Sequence, residues 1–223
     1  MSRWWAAVVG LLGLLLAACA GDSTAPEDRA VSITTTACGH ASRTTGAGVI
    51  VDDGWVLASA HVVSGAGSVE VSGSFGSTVG EIVVVDADAD LAMLRVDGAE
   101  AAPVRVAAAE VGDAVMLGGG GPSGVVATTV LRPVEVRIEA VRSTERISRL
   151  GYEIDTRVAL GDSGGGVFDA EGALIGVVFG RPLEDVDRSF VVRHEELERV
   201  LAADRSANWR CDPTKHRVVS DTG

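Results

Sequence analysis

Aromatic residues are scarce in this chain. Four phenylalanines and a single tyrosine occur in 223 positions, and aromatics make up 4% of the whole. Valine and alanine therefore carry most of the apolar content. Positive charge is also short: 19 Lys and Arg stand against 31 Asp and Glu, a formal net charge of −12. Nucleic-acid binding needs a basic surface, so that class of function is excluded, and so is a polybasic membrane patch. Three cysteines allow at most one intramolecular disulfide, with one thiol left over. What the chain has in quantity is hydrophobic residues (47%) and 28 glycines. Valine favours strands, and glycines favour turns and bulges. The length fits one domain, or two small barrels sharing a core.

The N-terminus reads as an export signal. Arg3 is the only charge among the first twenty residues, and an apolar run follows from Trp4 to Ala18. The run is short for a membrane span, which needs about 20 apolar residues, and it ends in small residues, as a secretory signal does. Leu16-Ala17-Ala18-Cys19 resembles the bacterial lipobox, in which the cysteine is diacylated and becomes the first residue of the mature protein. Residues 1–18 are thus expected to be a lipoprotein signal peptide. Cys19 would be the lipid attachment site, anchoring the protein to the membrane outside the cytoplasm. Residues 19–30 are polar and are expected to be a flexible tether.

Strand-like patterning begins at Val31. Gly46-Ala47-Gly48-Val49-Ile50-Val51 runs into Asp52-Asp53-Gly54, a hairpin signal. Trp55-Val56-Leu57-Ala58-Ser59-Ala60-His61-Val62-Val63 then carries an apolar run into a histidine. Three aspartates alternate in Asp86-Ala87-Asp88-Ala89-Asp90, ahead of Leu91-Ala92-Met93-Leu94. No glycine or ligating glutamate completes a calcium loop there, so Asp86 and Asp88 are read as loop positions and no metal is expected. Gly118 to Gly121, with Pro122 and Gly124, form a loop without the Gly-Lys-Ser/Thr of a phosphate cradle, which excludes nucleotide binding. No cofactor is expected. Further on, Gly161-Asp162-Ser163-Gly164-Gly165-Gly166 flanks one serine with glycines. Such a stretch is either a bland turn or the setting of a nucleophile, where backbone N–H groups must close around a developing oxyanion.

His61, Asp90 and Ser163, each in its local phrase and in that order, resemble the catalytic segments of trypsin-like (chymotrypsin-fold) serine proteases. The resemblance covers about residues 40–203 and is nearest the bacterial branch that includes the HtrA-type proteases and the periplasmic acid-resistance protease of mycobacteria. It implies an all-β fold of two six-stranded antiparallel β-barrels with a short C-terminal helix. The protease domain would span residues 31–211, with barrels at about 31–103 and 111–203 and a polar tail at 212–223. It also implies a serine endopeptidase acting on protein or peptide substrates. His61 would be the general base, Asp90 its orienting partner, Ser163 the nucleophile, and the N–H groups of Gly161 and Ser163 the oxyanion hole. The esterase motif Gly-x-Ser-x-Gly is matched formally, but the order His, Asp, Ser is not that of the α/β-hydrolases. The competing expectation is a catalytically silent relative kept as a binding or scaffold lipoprotein.

The specificity pocket of this fold is shaped by residues before the nucleophile and by the strand after it, here Arg157 to Leu160 and Val178 to Arg181. Phe179 falls within this set. Arg157 either faces the pocket floor and favours acidic side chains, or pairs with a surface carboxylate. Two departures from the family pattern stand out. Gly166 replaces the usual proline, and Asp162 lacks the new N-terminal amine that pairs with it in zymogen-type members. His194 opens an acidic-first helix and reads as a surface position. In an exported protein Cys38 and Cys211 are expected to pair, as the mycobacterial protease joins the two ends of its protease domain. The chain-entropy model gives such a long loop roughly 5 kcal/mol. No PDZ module is expected after Cys211, which twelve residues follow. Oligomeric state is not legible.

Overall fold

A computed structural model describes residues 24–139, 144–182, 187–212 and 217–220. The first barrel comprises β1 (Ala30–Ala37), β2 (Arg43–Asp52), β3 (Trp55–Ser59), β4 (Ala66–Gly73), β5 (Gly76–Asp86) and β6 (Leu91–Val96), with a one-turn helix α1 (Ala60–Val63) after β3. Its strands neighbour in the order β5-β4-β1-β2-β3-β6, and β6 pairs back onto β5 to close it. The second barrel comprises β7 (Ala114–Gly118), β8 (Val125–Glu139), β9 (Arg146–Ile154), β10 (Gly166–Phe168), β11 (Leu174–Gly180) and β12 (Ser189–Arg193). It closes in the order β10-β11-β12-β9-β8-β7. The two expected six-stranded barrels are present, followed by the expected short helix, α2 (His194–Leu201).

Strand periodicity explains how the barrels share one core. Side chains alternate faces along a strand. Ile50, Val56 and Leu94 point into the first barrel. Their neighbours Val49, Leu57 and Met93 point the other way, against Phe168, Leu174 and Val177 of the second barrel and Leu197 of α2. These central strands are buried on both faces, which is why they read as continuous apolar runs and not as alternating ones. The seam between the barrels is thus a packed layer.

Three details depart from the sequence expectations. Residues 212–223 were expected to be a polar tail, yet Arg217–Ser220 form β14, paired with β13 (Trp209–Asp212). Trp209 in turn pairs with Ile82, so the hairpin extends the first barrel along β5. The tether expected through residue 30 ends sooner. Pro26–Arg29 form a 3-10 turn, and Arg29 is buried, donating to the carbonyl of Ile50 at 3.0 Å. Burial pushes its guanidinium pKa down. Third, the glycine at 166 has a packing reason. A Cβ there would lie 2.9 Å from the Phe168 ring and 3.0 Å from Leu174 Cδ1. Phe168 occupies the space a larger residue would need.

Cys38 and Cys211 form a disulfide with Cα atoms 5.5 Å apart, closing 173 residues. It ties the end of β1 to the added hairpin. Cys19 and the signal region lie outside the described residues. Among the described residues, no helix is long and apolar enough to cross a membrane.

Candidate active site

The site is built from three short segments meeting at the seam. Asp90 ends the turn between β5 and β6. The Asp86 carboxylate organises this turn by accepting the N–H groups of Asp88 at 3.1 Å and Ala89 at 2.9 Å, so Asp86 and Asp88 serve as a turn. Asp90 has φ of 58°, the only positive φ outside glycine among the described residues. A non-glycine residue is costly in this region, which marks the position as held by its surroundings. The holding contacts are to the histidine segment. Asp90 Oδ1 accepts the His61 backbone N–H at 2.8 Å, and Oδ2 lies 2.7 Å from His61 Nδ1. The Asp90 carbonyl accepts the Ala60 N–H at 3.0 Å. Asp90 is 2% exposed, whereas the His61 side chain is 38% exposed. The carboxylate thus fixes both the backbone and the ring of a histidine whose far edge faces solvent.

Ser163 sits on a loop stitched to both barrels. Its carbonyl accepts the Ala47 N–H at 2.8 Å, and the Gly164 N–H donates to Val178 at 2.8 Å. Gly164 has φ of 94°, and a Cβ there would fall 2.0 Å from the Ala47 carbonyl oxygen. Only glycine permits that approach. Gly46 plays the matching part on β2: its Cβ would meet Val62 Cγ2 at 2.6 Å and the Ser163 carbonyl at 3.0 Å. The residue after His61 and the backbone of Ser163 therefore both close in on one glycine. Among the described residues no hydrogen bond joins Ser163 to His61.

Asp162 finds the partner that the sequence left unnamed. Its carboxylate is 1% exposed. It accepts the Ser123 N–H at 3.0 Å, the Ser123 hydroxyl, and the Ala159 N–H at 2.6 Å. Ser123 lies in the glycine-rich loop between β7 and β8. Gly121 of that loop is pressed so close that a Cβ would lie 2.3 Å from Asp162 Oδ1. The only signal for Ser123 in the sequence was a hydroxyl in a loop of glycines.

A cleft of about 1230 Å³ opens beside His61 and Asp90. Val136, Ile138, Phe179 and Phe190 give it apolar walls, and Arg149 and Arg181 contribute cations. The Phe179 and Phe190 rings stack, with centroids 5.9 Å apart. Phe179 lines this cleft, while Arg157 is exposed on the loop after β9. His194, expected at the surface, is partly exposed at 21%, and its Nδ1 lies 3.2 Å from both the Tyr152 hydroxyl and Glu195 Oε2. Among the described residues no group of His, Cys, Asp or Glu is arranged to hold a metal.

Comparison with known proteins agrees with this architecture. The family profile for the trypsin-like peptidase domain matches residues 46–177. Serine protease Rv3671c of Mycobacterium tuberculosis (strain ATCC 25618 / H37Rv) is 33% identical over 168 residues, covering 70% of this chain and 41% of that protein. The chloroplastic Protease Do-like 2 of Arabidopsis thaliana is 31% identical over 166 residues, covering 70% of this chain and 25% of its own length. The chain therefore spans well under half the length of these relatives. Among solved structures, the active form of the M. tuberculosis Rv3671c protease superposes with a TM-score of 0.75 at 27% identity, covering 84% of this chain and 85% of that one. The HtrA-type protease AlgW shares the fold, with a TM-score of 0.65 at 22% identity over 78% of this chain and 59% of that chain. With the profile spanning more than half of its residues, the chain belongs to the trypsin-like peptidase domain family.

Proposed function

We propose that the protein is a serine endopeptidase of the trypsin-like, HtrA-related type, lipid-anchored through Cys19 outside the cytoplasm. The observation that carries the catalytic reading is the buried Asp90 carboxylate gripping both the backbone N–H and the ring of a solvent-facing His61. A histidine held this way keeps Nδ1 protonated and presents Nε2 as a base. Ser163 Oγ attacks the substrate carbonyl carbon and passes its proton to His61 Nε2. His61 then protonates the leaving amine, which departs as the acyl-enzyme forms. A water gives its proton to the same imidazole and attacks the acyl carbon, and the imidazolium returns the proton to Ser163 Oγ as the ester bond breaks. The N–H groups of Gly161 and Ser163 receive the oxyanion, a role worth about 3–4 kcal/mol per donor. The apolar walls beside His61 suit an extended peptide with hydrophobic residues.

The second reading is a catalytically silent domain serving as a binding lipoprotein. The lack of a Ser163–His61 hydrogen bond among the described residues favours it. Such bonds are often long before substrate arrives, so we prefer the enzyme. Incubating the purified protein with a denatured proteome tests the choice. New peptide termini that vanish with Ser163→Ala support the endopeptidase, and an unchanged proteome supports the silent domain. The anchor has its own test. A fatty-acid probe should label the wild type in cells and not Cys19→Ala; label persisting in that variant contradicts lipidation at Cys19.

A further inference from the structure

Arg149 lies on β9 of the second barrel, yet it serves the first. Its side chain is 2% exposed. The guanidinium donates to the carbonyls of Asp88 at 2.9 Å and Ala87 at 3.3 Å, both in the turn that carries Asp90. Its Nη1 stands 3.6 Å from Asp90 Oδ2, the oxygen that faces the His61 ring. Its opposite face lies over the Phe179 ring, 4.9 Å from the centroid. One buried cation therefore touches the strained aspartate turn, the aspartate itself and the aromatic wall of the cleft. A buried guanidinium is costly unless it is paired and hydrogen-bonded, and here every contact leads to the His61–Asp90 pair or to the cleft.

We propose that Arg149 is a positioning residue that fastens the Asp90 turn across the seam and offsets the Asp90 charge felt by His61. This rests on the reading of the chain as a serine endopeptidase. The Asp90 oxygen that faces the His61 ring is also the one that faces Arg149, so removing this cation changes the field at the ring as well as the shape of the turn. The other charges around the turn are Asp86 and Asp88 on it and Glu196 and Arg199 on α2, where Arg199 pairs with Asp86 at 2.8 Å. Glu139 and Arg181 line the cleft nearby. Only Arg149 among these is paired with Asp90 itself. Burial pushes the Arg149 guanidinium pKa down, and Asp90, Asp86 and Asp88 pull it back up.

The test measures the pH dependence of peptide cleavage (kcat/KM) and the NMR titration of His61 in the wild type, Arg149→Gln and Arg149→Lys. Arg149→Gln removes the charge but keeps a donor for the turn. It should move the acid limb and the His61 titration to higher pH, because the Asp90 charge is then no longer offset. Arg149→Lys keeps the charge and loses the planar fork. It should leave the limb in place and lower kcat about tenfold. A limb and titration unmoved in folded Arg149→Gln overturn the proposal. Should that variant not fold, Arg149→Lys decides: wild-type kcat in it overturns the proposal. An inactive wild type contradicts the endopeptidase reading instead, and the His61 titration still decides the role of Arg149.

Discussion

Ser123 donates both its backbone N–H and its hydroxyl to the buried carboxylate of Asp162, one residue before Ser163. The contact joins the glycine-rich loop between β7 and β8 to the loop that carries Ser163. An uncharged hydroxyl and two backbone amides, those of Ser123 and Ala159, are the donors to this buried carboxylate.

Ser123→Ala removes one charge-assisted hydrogen bond to a buried carboxylate, worth about 1.5–3 kcal/mol. The variant should lose about that much unfolding free energy in a denaturant titration. Its cleavage rate should fall about tenfold as the oxyanion loop loosens. Unaltered rate and stability would show that the loop holds its shape without Ser123.

Asp90→Asn keeps the size of the side chain but lets His61 adopt the wrong tautomer. Cleavage should drop about 10⁴-fold, with kcat falling and KM little changed. A loss under tenfold would mean that Asp90 is structural only.

Gly164→Ala places a methyl carbon on the Ala47 carbonyl oxygen at a positive φ. The loop cannot accommodate it without moving the backbone. We expect loss of cleavage together with destabilisation of about 3 kcal/mol or more. Gly112→Ala is the control: its φ is 92°, but nothing lies within 4 Å of the added carbon. It should cost only the backbone penalty of about 1–2 kcal/mol and leave activity intact.

Reduction of the Cys38–Cys211 disulfide, or Cys211→Ser, should lower unfolding free energy by about 2–5 kcal/mol. Thermal melts with and without dithiothreitol measure it. A wild type indifferent to reductant would mean that the bridge does not form in solution.

What could be read in the sequence was what is local. His61, Asp90 and Ser163 each sit in a phrase of neighbours that the same short segment of backbone requires, and the double-sided burial of β2, β3 and β6 shows as unbroken apolar runs. What could not be read depends on pairs far apart. Ser123 and Asp162 are separated by 39 residues, and nothing in a run of glycines says which hydroxyl will turn inward. Arg149 looks like any arginine on an exposed hairpin until β9 is laid against the Asp90 turn. Gly166 reads as a departure from the family until the Phe168 ring is seen filling the space beside it. The two strands of the hairpin that carries Cys211 are four residues each, too short for a pattern to announce them, and the hairpin pairs with β5 in the company of a disulfide.

The central claim is that Ser163 is a nucleophile activated by His61. Its most direct measurement is labelling with a fluorophosphonate probe, followed by peptide mapping of the modified residue. The account predicts one phosphonyl group per chain, on Ser163, with labelling abolished in Ser163→Ala and slowed by orders of magnitude in His61→Ala. A folded wild-type protein that takes up no probe, or takes it up equally in Ser163→Ala, would contradict it.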